Sequence, residues 1–281
     1  MQIGIRALDE SFNLQKKKKP LIHCISNSVT RRELVEGILN YNGTPLVANY
    51  SEESPDITSK CDCLFISLEN IANNQIDAIE KSIRVARRKK IPVILDIIGV
   101  NLSFFRREMA IRLINRYSIN VISGRLEDFK IIIDNDDKIK NNDFEVTDIK
   151  NNIDIRVILR GFSRKCNSII VIQYENYYLT DGFSEFYIEG ALNSINNILG
   201  LESILFGLIS VGIASASSNE EKFRAVLVAV MTIAVSEKIV AQKNLDFKRN
   251  TRLKEYLLDE ISEITSEKIN KIAKVDYFFV R

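Results

Sequence analysis

The segment PLIHCISNSVTRRELVEGILNYNGTPLV, residues 20–47, carries the pattern that decides the fold. It opens with Leu21–Ser26, a short apolar run with β-branched residues, which predicts a strand. Arg31–Tyr41 follows with apolar residues at the spacing of a helix, and Thr44–Ala48 begins a second apolar run. A strand, a helix and another strand in this order predict a βαβ unit, in which the two strands run parallel.

The same alternation continues through the first half of the chain. Further strands are predicted at Cys63–Ser67, Val93–Asp96 and Asn120–Ser123, and helices at Asn74–Lys89 and Phe105–Arg116. Strands separated by helices of this length predict a mostly parallel sheet with helices on both faces, joined by right-handed crossovers. The predicted fold class is therefore α/β with a doubly wound sheet.

The second half predicts a strand, a hairpin and then helices. Ser168–Gln173 has the composition of a strand, and Asp181-Gly182 is typical of a turn between strands at 177–180 and 185–188. The closing part predicts helices at Ile198–Ala214, Glu220–Lys243 and Leu253–Ser262. Residues 134–152, rich in Asn, Asp and Lys, predict a surface insertion rather than a linker, because they are short and central. We therefore expect one domain over residues 1–281.

Composition argues against several classes of function. With 46% hydrophobic and 27% charged residues the chain is typical of a globular protein, and 39 basic against 37 acidic residues give no electrostatic reason to expect nucleic acid. No apolar run reaches the roughly 18 residues of a membrane span, and the N-terminus lacks a leader pattern, so we expect a cytoplasmic protein with no membrane partner. The four cysteines are expected to be reduced, and Cys61-Asp62-Cys63 is a weak metal signal.

Polar residues after the predicted strands are the first candidates for a ligand site. In an open parallel sheet the carboxyl ends of the strands form the crevice where ligands bind. Asp96 ends a strand expected near the middle of the sheet, where its carboxylate would either engage Mg²⁺ or a hydroxyl or cap the following turn. Asn27 is in a position typical of a turn or cap residue, and His23 of a hydrogen-bonded core histidine. These patterns predict a ligand-binding α/β protein and no particular reaction.

Two segments carry a resemblance to a known family. PLIHCISN at residues 20–27 and PVILDIIGV at residues 92–100, with Phe105-Arg106 after it, resemble the motifs of hydroxyethylthiazole kinases, and the similar order of segments extends over roughly residues 15–245. The resemblance implies a ribokinase-like fold with a helical C-terminal portion. It also implies ATP-dependent phosphorylation of 4-methyl-5-(2-hydroxyethyl)thiazole in thiamine salvage, with Mg²⁺ as the partner of ATP. A homotrimer with the thiazole site between neighbouring subunits is implied as well.

The same resemblance implies roles for individual residues. Asp96 and Gly99 match the family's Asp-Pro-Val-Gly motif, and Asp128 falls where the family places a glutamate after Arg-Gly-Asn. The implied nucleotide-binding residues are Asp96, Gly99, Ser123, Arg125 and Gln173. The implied thiazole-side residues are Asn27, Val29, Val47 and Gly200. The implied metal-binding residues are Asp96 and Asp128.

The chain departs from the family pattern at several of these ligand positions. Glu69 stands where the family's Asn-Ile-Gly-Thr segment has glycine, so an acidic side chain enters a place where the backbone approaches ligand. Tyr174 replaces a glycine after a strand and could fill part of the nucleotide site. Arg125 is displaced by two positions from the basic residue of Arg-Gly-Asn.

The phosphate loop departs furthest. The segment SINNILGLESILFG, residues 194–207, lacks the glycine pair and the cysteine of the family, although glycine is what lets backbone N–H groups approach a phosphate. The family's cysteine aligns with Gly200 in one alignment and with Glu202 in another. Glu202 is the candidate for the base that takes the hydroxyl proton, and otherwise an exposed or capping residue near a helix start.

Two other functions stay open at this point. One is a catalytically silent family member that binds a small ligand or acts as a structural or regulatory subunit. The other is a kinase whose substrate has changed. Nucleotide binding separates these possibilities, because a silent binder responds to thiazole alone and a kinase with a changed substrate responds to nucleotide without thiazole.

Overall fold

A computed structural model describes residues 5–134, 149–173, 176–191, 200–243 and 250–278. Within these residues nine strands form one sheet: β1 (Leu21–Ile25), β2 (Thr44–Val47), β3 (Cys63–Ser67), β4 (Val93–Asp96), β5 (Val121–Gly124), β6 (Ile169–Gln173), β7 (Tyr177–Thr180), β8 (Glu185–Ile188) and β9 (Val275–Phe278). The helices described are α1 (Ile5–Lys17), α2 (Arg31–Asn40), α3 (Ser54–Thr58), α4 (Asn73–Lys89), α5 (Phe104–Arg116), α6 (Leu126–Asp134), α7 (Ile153–Cys166), α8 (Leu201–Ser215), α9 (Asn219–Gln242), α10 (Asn250–Glu263) and α11 (Ser266–Ile272).

The strands are arranged in the order β2-β1-β3-β4-β5-β6-β7-β8-β9. Neighbouring strands run parallel from β2 to β6 and antiparallel from β6 to β9. The carboxyl ends of the parallel strands therefore lie along one edge of the sheet, and β4, which ends at Asp96, is an interior strand. The predicted α/β class with a mostly parallel sheet is confirmed.

Helices cover both faces of the sheet. One face packs against α1, α2 and α8 to α11, and the other against α4 to α7. Helix α9 is buried through its middle, because residues 225–235 are apolar except for Thr232. It begins with a capping box, in which the Ser218 hydroxyl accepts from the Glu221 N–H at 3.1 Å and the Glu221 carboxylate accepts from the Ser218 N–H at 3.2 Å.

Most predicted elements are present, with shifted ends. The predicted hairpin is confirmed: Gly182 has φ +88°, and the Asp181 carboxylate accepts from the N–H groups of Phe183 and Ser184 at 2.9 and 2.7 Å. Residues 192–199 lie outside the described part of the chain, so the predicted helix start at Ile198 is described only from Leu201. Residues 135–148 also lie outside it, and the surface insertion at 134–152 stays a prediction.

The sequence patterns missed five elements: α1, α3, α6, α11 and β9. Helix α1 buries only Phe12 and Gln15. Its apolar stripe is therefore too narrow to predict a helix from the sequence, and lysines follow it directly. Strand β9 is half-buried and pairs only with β8 at the end of the sheet order. None of the described helices has both the length and the apolar character needed to cross a membrane. All four cysteines are free thiols, as expected.

Two glycines allow α2 and α8 to pack backbone against backbone. A Cβ atom on Gly37 would lie 2.6 Å from the carbonyl oxygen of Ile204, and one on Gly207 would lie 2.7 Å from the backbone nitrogen of Ile38. Neither neighbour can move without moving a helix. The close packing therefore fixes the position of α8 relative to α2.

We predict that Gly37→Ala lowers the free energy of unfolding by about 1–3 kcal/mol, because the added methyl forces the two helices apart. The matched control is Gly161→Ala in α7, where a Cβ meets nothing within 4 Å. That change should raise stability by about 0.5–1 kcal/mol through helix propensity. Urea unfolding followed by circular dichroism measures both, and equal effects of the two substitutions would contradict the packing argument.

Candidate active site at the carboxyl ends of the parallel strands

A row of polar side chains lies where the central strands end. In the register of the sheet Ser67 pairs with Asp96, and Asp96 pairs with Ser123. Residues paired in register on neighbouring strands point to the same face, here the face covered by α8 and α9. All three side chains are buried. The sheet therefore presents two hydroxyls and a carboxyl side by side at its ligand-binding edge.

Asp96 is both a turn cap and a buried acid at this edge. Its carboxyl accepts from the Ile98 N–H at 2.8 Å and from the Ser67 hydroxyl at 2.7 Å. The pKa of Asp96 is raised to about 8, chiefly by burial and to a smaller extent by the nearby carboxylates of Glu69 and Asp128. The two hydrogen bonds act in the opposite direction and lower it. The turn-capping role weighed from the sequence is observed, and the ligand-binding role of Asp96 stays a prediction.

Asp128, in the first turn of α6, connects the loops that follow β4 and β5. Its carboxyl accepts from the backbone N–H groups of Gly99, Asn101 and Arg125 at 3.1, 3.3 and 3.2 Å. Burial raises the pKa of Asp128 despite these bonds. The two predicted metal-binding carboxyls are thus held by the same loop, since Asp96 binds the N–H of Ile98 and Asp128 that of Gly99.

Three of the predicted thiazole-side residues, Asn27, Val29 and Val47, lie at the carboxyl ends of β1 and β2. The Asn27 carboxamide accepts from the N–H groups of Val29 and Thr30 at 2.6 and 3.0 Å, and it donates to the Glu69 carboxylate at 2.9 Å. Asn27 is therefore the turn residue before α2 and is also tied to the end of β3. Val29 and Val47 are exposed at 57% and 39% and leave an apolar surface beside it.

The start of α8 faces this edge. Gly200 has φ +76°, and a Cβ there would lie 2.6 Å from the Cγ of Glu33, so glycine is required on both counts. Glu202 lies in the first turn of α8 and forms an ion pair with Arg125 at 2.7 Å, with side chains 30% and 55% exposed. The predicted catalytic base and the predicted nucleotide-side cation are therefore in direct contact.

Three buried polar atoms at this edge have no hydrogen-bond partner within the described residues: the hydroxyls of Ser26 and Ser123 and the Gln173 amide nitrogen. The last two lie at the ends of neighbouring strands, β5 and β6. A buried polar group without a partner is costly, and a polar ligand would satisfy both. Tyr174, predicted to enter the nucleotide site, lies outside the described residues.

The residues present fit a magnesium–nucleotide pair better than a protein-only metal centre. Across the described ranges no group of three or more His, Cys, Asp or Glu side chains could hold a metal ion. Mg²⁺ in kinases is usually bound by one or two carboxylates together with substrate phosphates. Asp96 and Asp128 can supply the former, and the unpartnered Ser123 and Gln173 groups can bind a polar ligand.

His23 takes no part in the site. Its ring nitrogens contact the Thr58 hydroxyl at 2.7 Å and the Ala48 carbonyl at 3.0 Å. Burial lowers the pKa of His23 to about 4, against the raising effect of the Ala48 hydrogen bond. It is the hydrogen-bonded core histidine expected from its place inside an apolar strand.

A buried pair that the sequence patterns missed lies next to Gln173. Tyr177, which pairs with Gln173 in the sheet, donates to the carboxyl of Glu237, which also accepts from the Ala191 N–H at 3.1 Å. Burial raises the pKa of Glu237 to about 7. The available signal was the position of Glu237 just after the mainly apolar run 225–235 of α9, since a buried acid needs partners.

The model of the Hydroxyethylthiazole kinase family matches residues 13–267 of the chain. The hydroxyethylthiazole kinase of Clostridium perfringens (strain 13) is 27% identical over 263 residues, which cover 93% of this chain and 98% of that enzyme. The structure of a hydroxyethylthiazole kinase protein from Pyrococcus horikoshii OT3 superposes with a TM-score of 0.84 at 16% identity, covering 97% of this chain and 99% of that one.

A second kind of kinase shares the fold at lower similarity. The pyridoxal kinase of Staphylococcus aureus, solved in complex with AMP-PCP, gives a TM-score of 0.56 at 14% identity, covering 79% of this chain and 88% of that one. The likeness to both solved structures shows the ribokinase-like fold predicted from the sequence.

We predict that stability falls as the pH rises and that Asp96→Asn weakens this dependence. Because the Asp96 carboxyl has a pKa of about 8 in the fold and 3.8 as its ordinary value, the folded chain holds the extra proton between these limits. Raising the pH from about 4 to about 8 therefore removes stability, at no more than about 1.4 kcal/mol per pH unit for this group.

The Asp96→Asn substitution keeps an acceptor for the Ile98 N–H but does not titrate, so the variant should lose less stability than wild type over this range. Urea unfolding at pH 5, 6, 7 and 8 measures the difference. The exposed Asp154→Asn is the control and should follow wild type. Parallel curves for wild type and Asp96→Asn would contradict the assignment of the buried proton.

Proposed function

The chain belongs to the hydroxyethylthiazole kinase family, and from this we propose that it transfers a phosphoryl group from ATP to the side-chain hydroxyl of 4-methyl-5-(2-hydroxyethyl)thiazole. The observation that carries the proposal is the buried row of Ser67, Asp96 and Ser123 at the carboxyl ends of the parallel strands, within a chain that matches the family over most of its length. This edge is where ligands of open α/β sheets bind.

The nucleotide side of the site comprises Asp96, Gly99, Ser123, Arg125 and Gln173 in this proposal. The unpartnered Ser123 hydroxyl and Gln173 amide support it, since they are buried donors at the correct edge. The AMP-PCP complex of the similar S. aureus pyridoxal kinase supports nucleotide use on this fold. Asp96 and Asp128 are the proposed Mg²⁺ positions, supported by their carboxyls being held on one loop.

Bound ATP and Mg²⁺ would supply the phosphoryl group and offset the charge that develops during its transfer. In this proposal Glu202 takes the proton of the substrate hydroxyl, and its position in the first turn of α8 supports that role. The free N–H groups at the start of α8 favour negative charge on the group being transferred. Arg125, which contacts Glu202, adds a positive charge at the same place.

The proposed thiazole side comprises Asn27, Val29, Val47 and Gly200, with Asn27 fixed by Glu69 and the two valines offering apolar surface. We extend the proposal to a homotrimer with this site between subunits. Exposed Tyr50 and the two valines support it, because together with the edge strand β2 they form an apolar surface.

Light scattering after size-exclusion chromatography should give about three times the chain mass of 32.1 kDa. Val47→Asp should lower that mass, since it puts a charge into the proposed interface, whereas Leu102→Asp at an exposed position elsewhere should not. A wild-type mass of one chain would overturn the trimer.

We predict slow product formation that requires ATP, Mg²⁺ and hydroxyethylthiazole, measured by chromatography of the phosphorylated alcohol. Asp96→Asn should abolish it while leaving the protein folded. Glu202→Gln should lower turnover by about 10²-fold or more, the usual contribution of a general base. Glu220→Gln on exposed α9 surface is the matched control and should turn over like wild type, because its ion pair with Arg224 is exposed.

The Glu202 variant also separates the kinase from the silent homologue. The Glu202–Arg125 pair favours the silent homologue if the Glu202 carboxylate occupies the place of a phosphate group of ATP. The carboxylate then neutralises Arg125 and interacts with the positive end of the α8 dipole, as the phosphate would. In that case Glu202→Gln raises ATP affinity in a thermal-shift titration and gives no loss of turnover. Wild type that makes no product and does not bind ATP would overturn the kinase proposal.

A further inference from the structure

Glu69 is fixed between the ends of β1 and β3. One carboxylate oxygen, Oε2, accepts from the Asn27 amide at 2.9 Å and from the Thr30 hydroxyl at 3.3 Å. The Glu69 N–H donates to the Ser67 hydroxyl at 3.2 Å, which joins it to the row that contains Asp96. The side chain is half-buried. It therefore presents a carboxylate in one orientation beside the proposed thiazole side.

The negative charge of Glu69 is not neutralised within the described residues. No Lys, Arg or His nitrogen there lies within ion-pair distance of its carboxylate, and both groups that donate to it are neutral. Three basic side chains of the surrounding elements contact other groups, although the Nε atom of Arg31 has no partner within the described residues. Arg31 donates to the Ser26 carbonyl at 3.3 Å, Arg125 pairs with Glu202, and Lys254 on α10 pairs with Glu33 at 2.9 Å.

Both neutral donors bind the same oxygen of Glu69, so the other oxygen, Oε1, is left for a further partner. The surroundings favour a partner that carries a positive charge. Asp96 and Asp128 lie on the same side of the sheet edge, and the charge of Glu69 is among the causes that disfavour ionisation of Asp96. A cation beside Glu69 would relieve this repulsion, whereas a neutral ring would bury a carboxylate without compensation.

We propose that Glu69 makes this site selective for alcohols that carry a positive charge, such as a protonated or quaternary nitrogen, over neutral ones. The inference rests on the proposed phosphotransfer site and ranks its acceptors, with cationic alcohols bound more tightly than the neutral hydroxyethylthiazole. Glu69 is a specificity-determining residue here, with its carboxylate as the group that recognises the cation.

Two pairs of probes isolate charge from shape. The first is 4-methyl-5-(2-hydroxyethyl)thiazole and its N-methylated thiazolium. The second is choline and its uncharged isostere 3,3-dimethylbutan-1-ol. Calorimetric titration of the full chain without nucleotide should show about tenfold tighter binding of the charged member in at least one pair, which corresponds to about 1.4 kcal/mol. The preference should weaken as salt is raised.

Glu69→Gln keeps the acceptor for Asn27 and Thr30 but removes the charge, so it should abolish the preference and leave binding of the neutral member within about twofold. Glu108→Gln, exposed on α5, is the matched control and should behave as wild type. If Glu69→Gln does not fold, Glu69→Ala replaces it. The inference would be overturned if neither pair of probes binds, or if neither pair shows tighter binding of its charged member. A preference for the charged member that survives loss of the carboxylate would also overturn it.

Because these titrations contain no nucleotide, they separate this inference from the proposed reaction. If the protein prefers charged alcohols, this preference depends on Glu69 and no phosphorylated product forms, the kinase proposal is overturned. The protein is then a binder of cationic alcohols. Product formation with the neutral thiazole and no charge preference supports the kinase and overturns the role of Glu69.

Discussion

The backbone contact between α2 and α8 is the constraint on which the candidate site depends. Gly37 and Gly207 bring the two helices closer than any side chain allows. Helix α2 begins just after the Asn27 turn, and α8 begins at Gly200, where Glu33 of α2 packs against the glycine. Locking the helices together therefore places the start of α8, and Glu202 with it, over the ends of the parallel strands.

The electrostatics of this edge follow from the fold. At this edge the chain buries the carboxyls of Asp96 and Asp128 and binds them mainly with backbone N–H groups rather than with cations. Neutral donors orient a carboxyl but do not repay the full cost of burying its charge, and this is why both pKa values are raised. A site built this way gains from a positive partner that arrives with a ligand.

The sequence predicted the sheet better than the site. Alternating apolar segments specify parallel strands and crossover helices, and the turn at Asp181-Gly182 specifies the hairpin, because each is a local pattern. The contact of Arg125 with Glu202 spans 77 positions, and that of Asn27 with Glu69 spans 42. Such pairs depend on how strands order themselves in the sheet. The resemblance to the family supplied candidate site residues, but it did not predict which of them contact each other.

The departures from the family pattern differ in how the fold accommodates them. The carboxylate of Glu202 has a cationic partner in Arg125, so the fold compensates its charge internally. Glu69 is oriented by the neutral groups of Asn27 and Thr30 and has no cationic partner within the described residues. The Ser123 hydroxyl has no hydrogen-bond partner there either. A site that had become purely structural would gain stability by satisfying such groups from within. Their uncompensated state supports the proposal that this edge of the sheet binds a polar ligand.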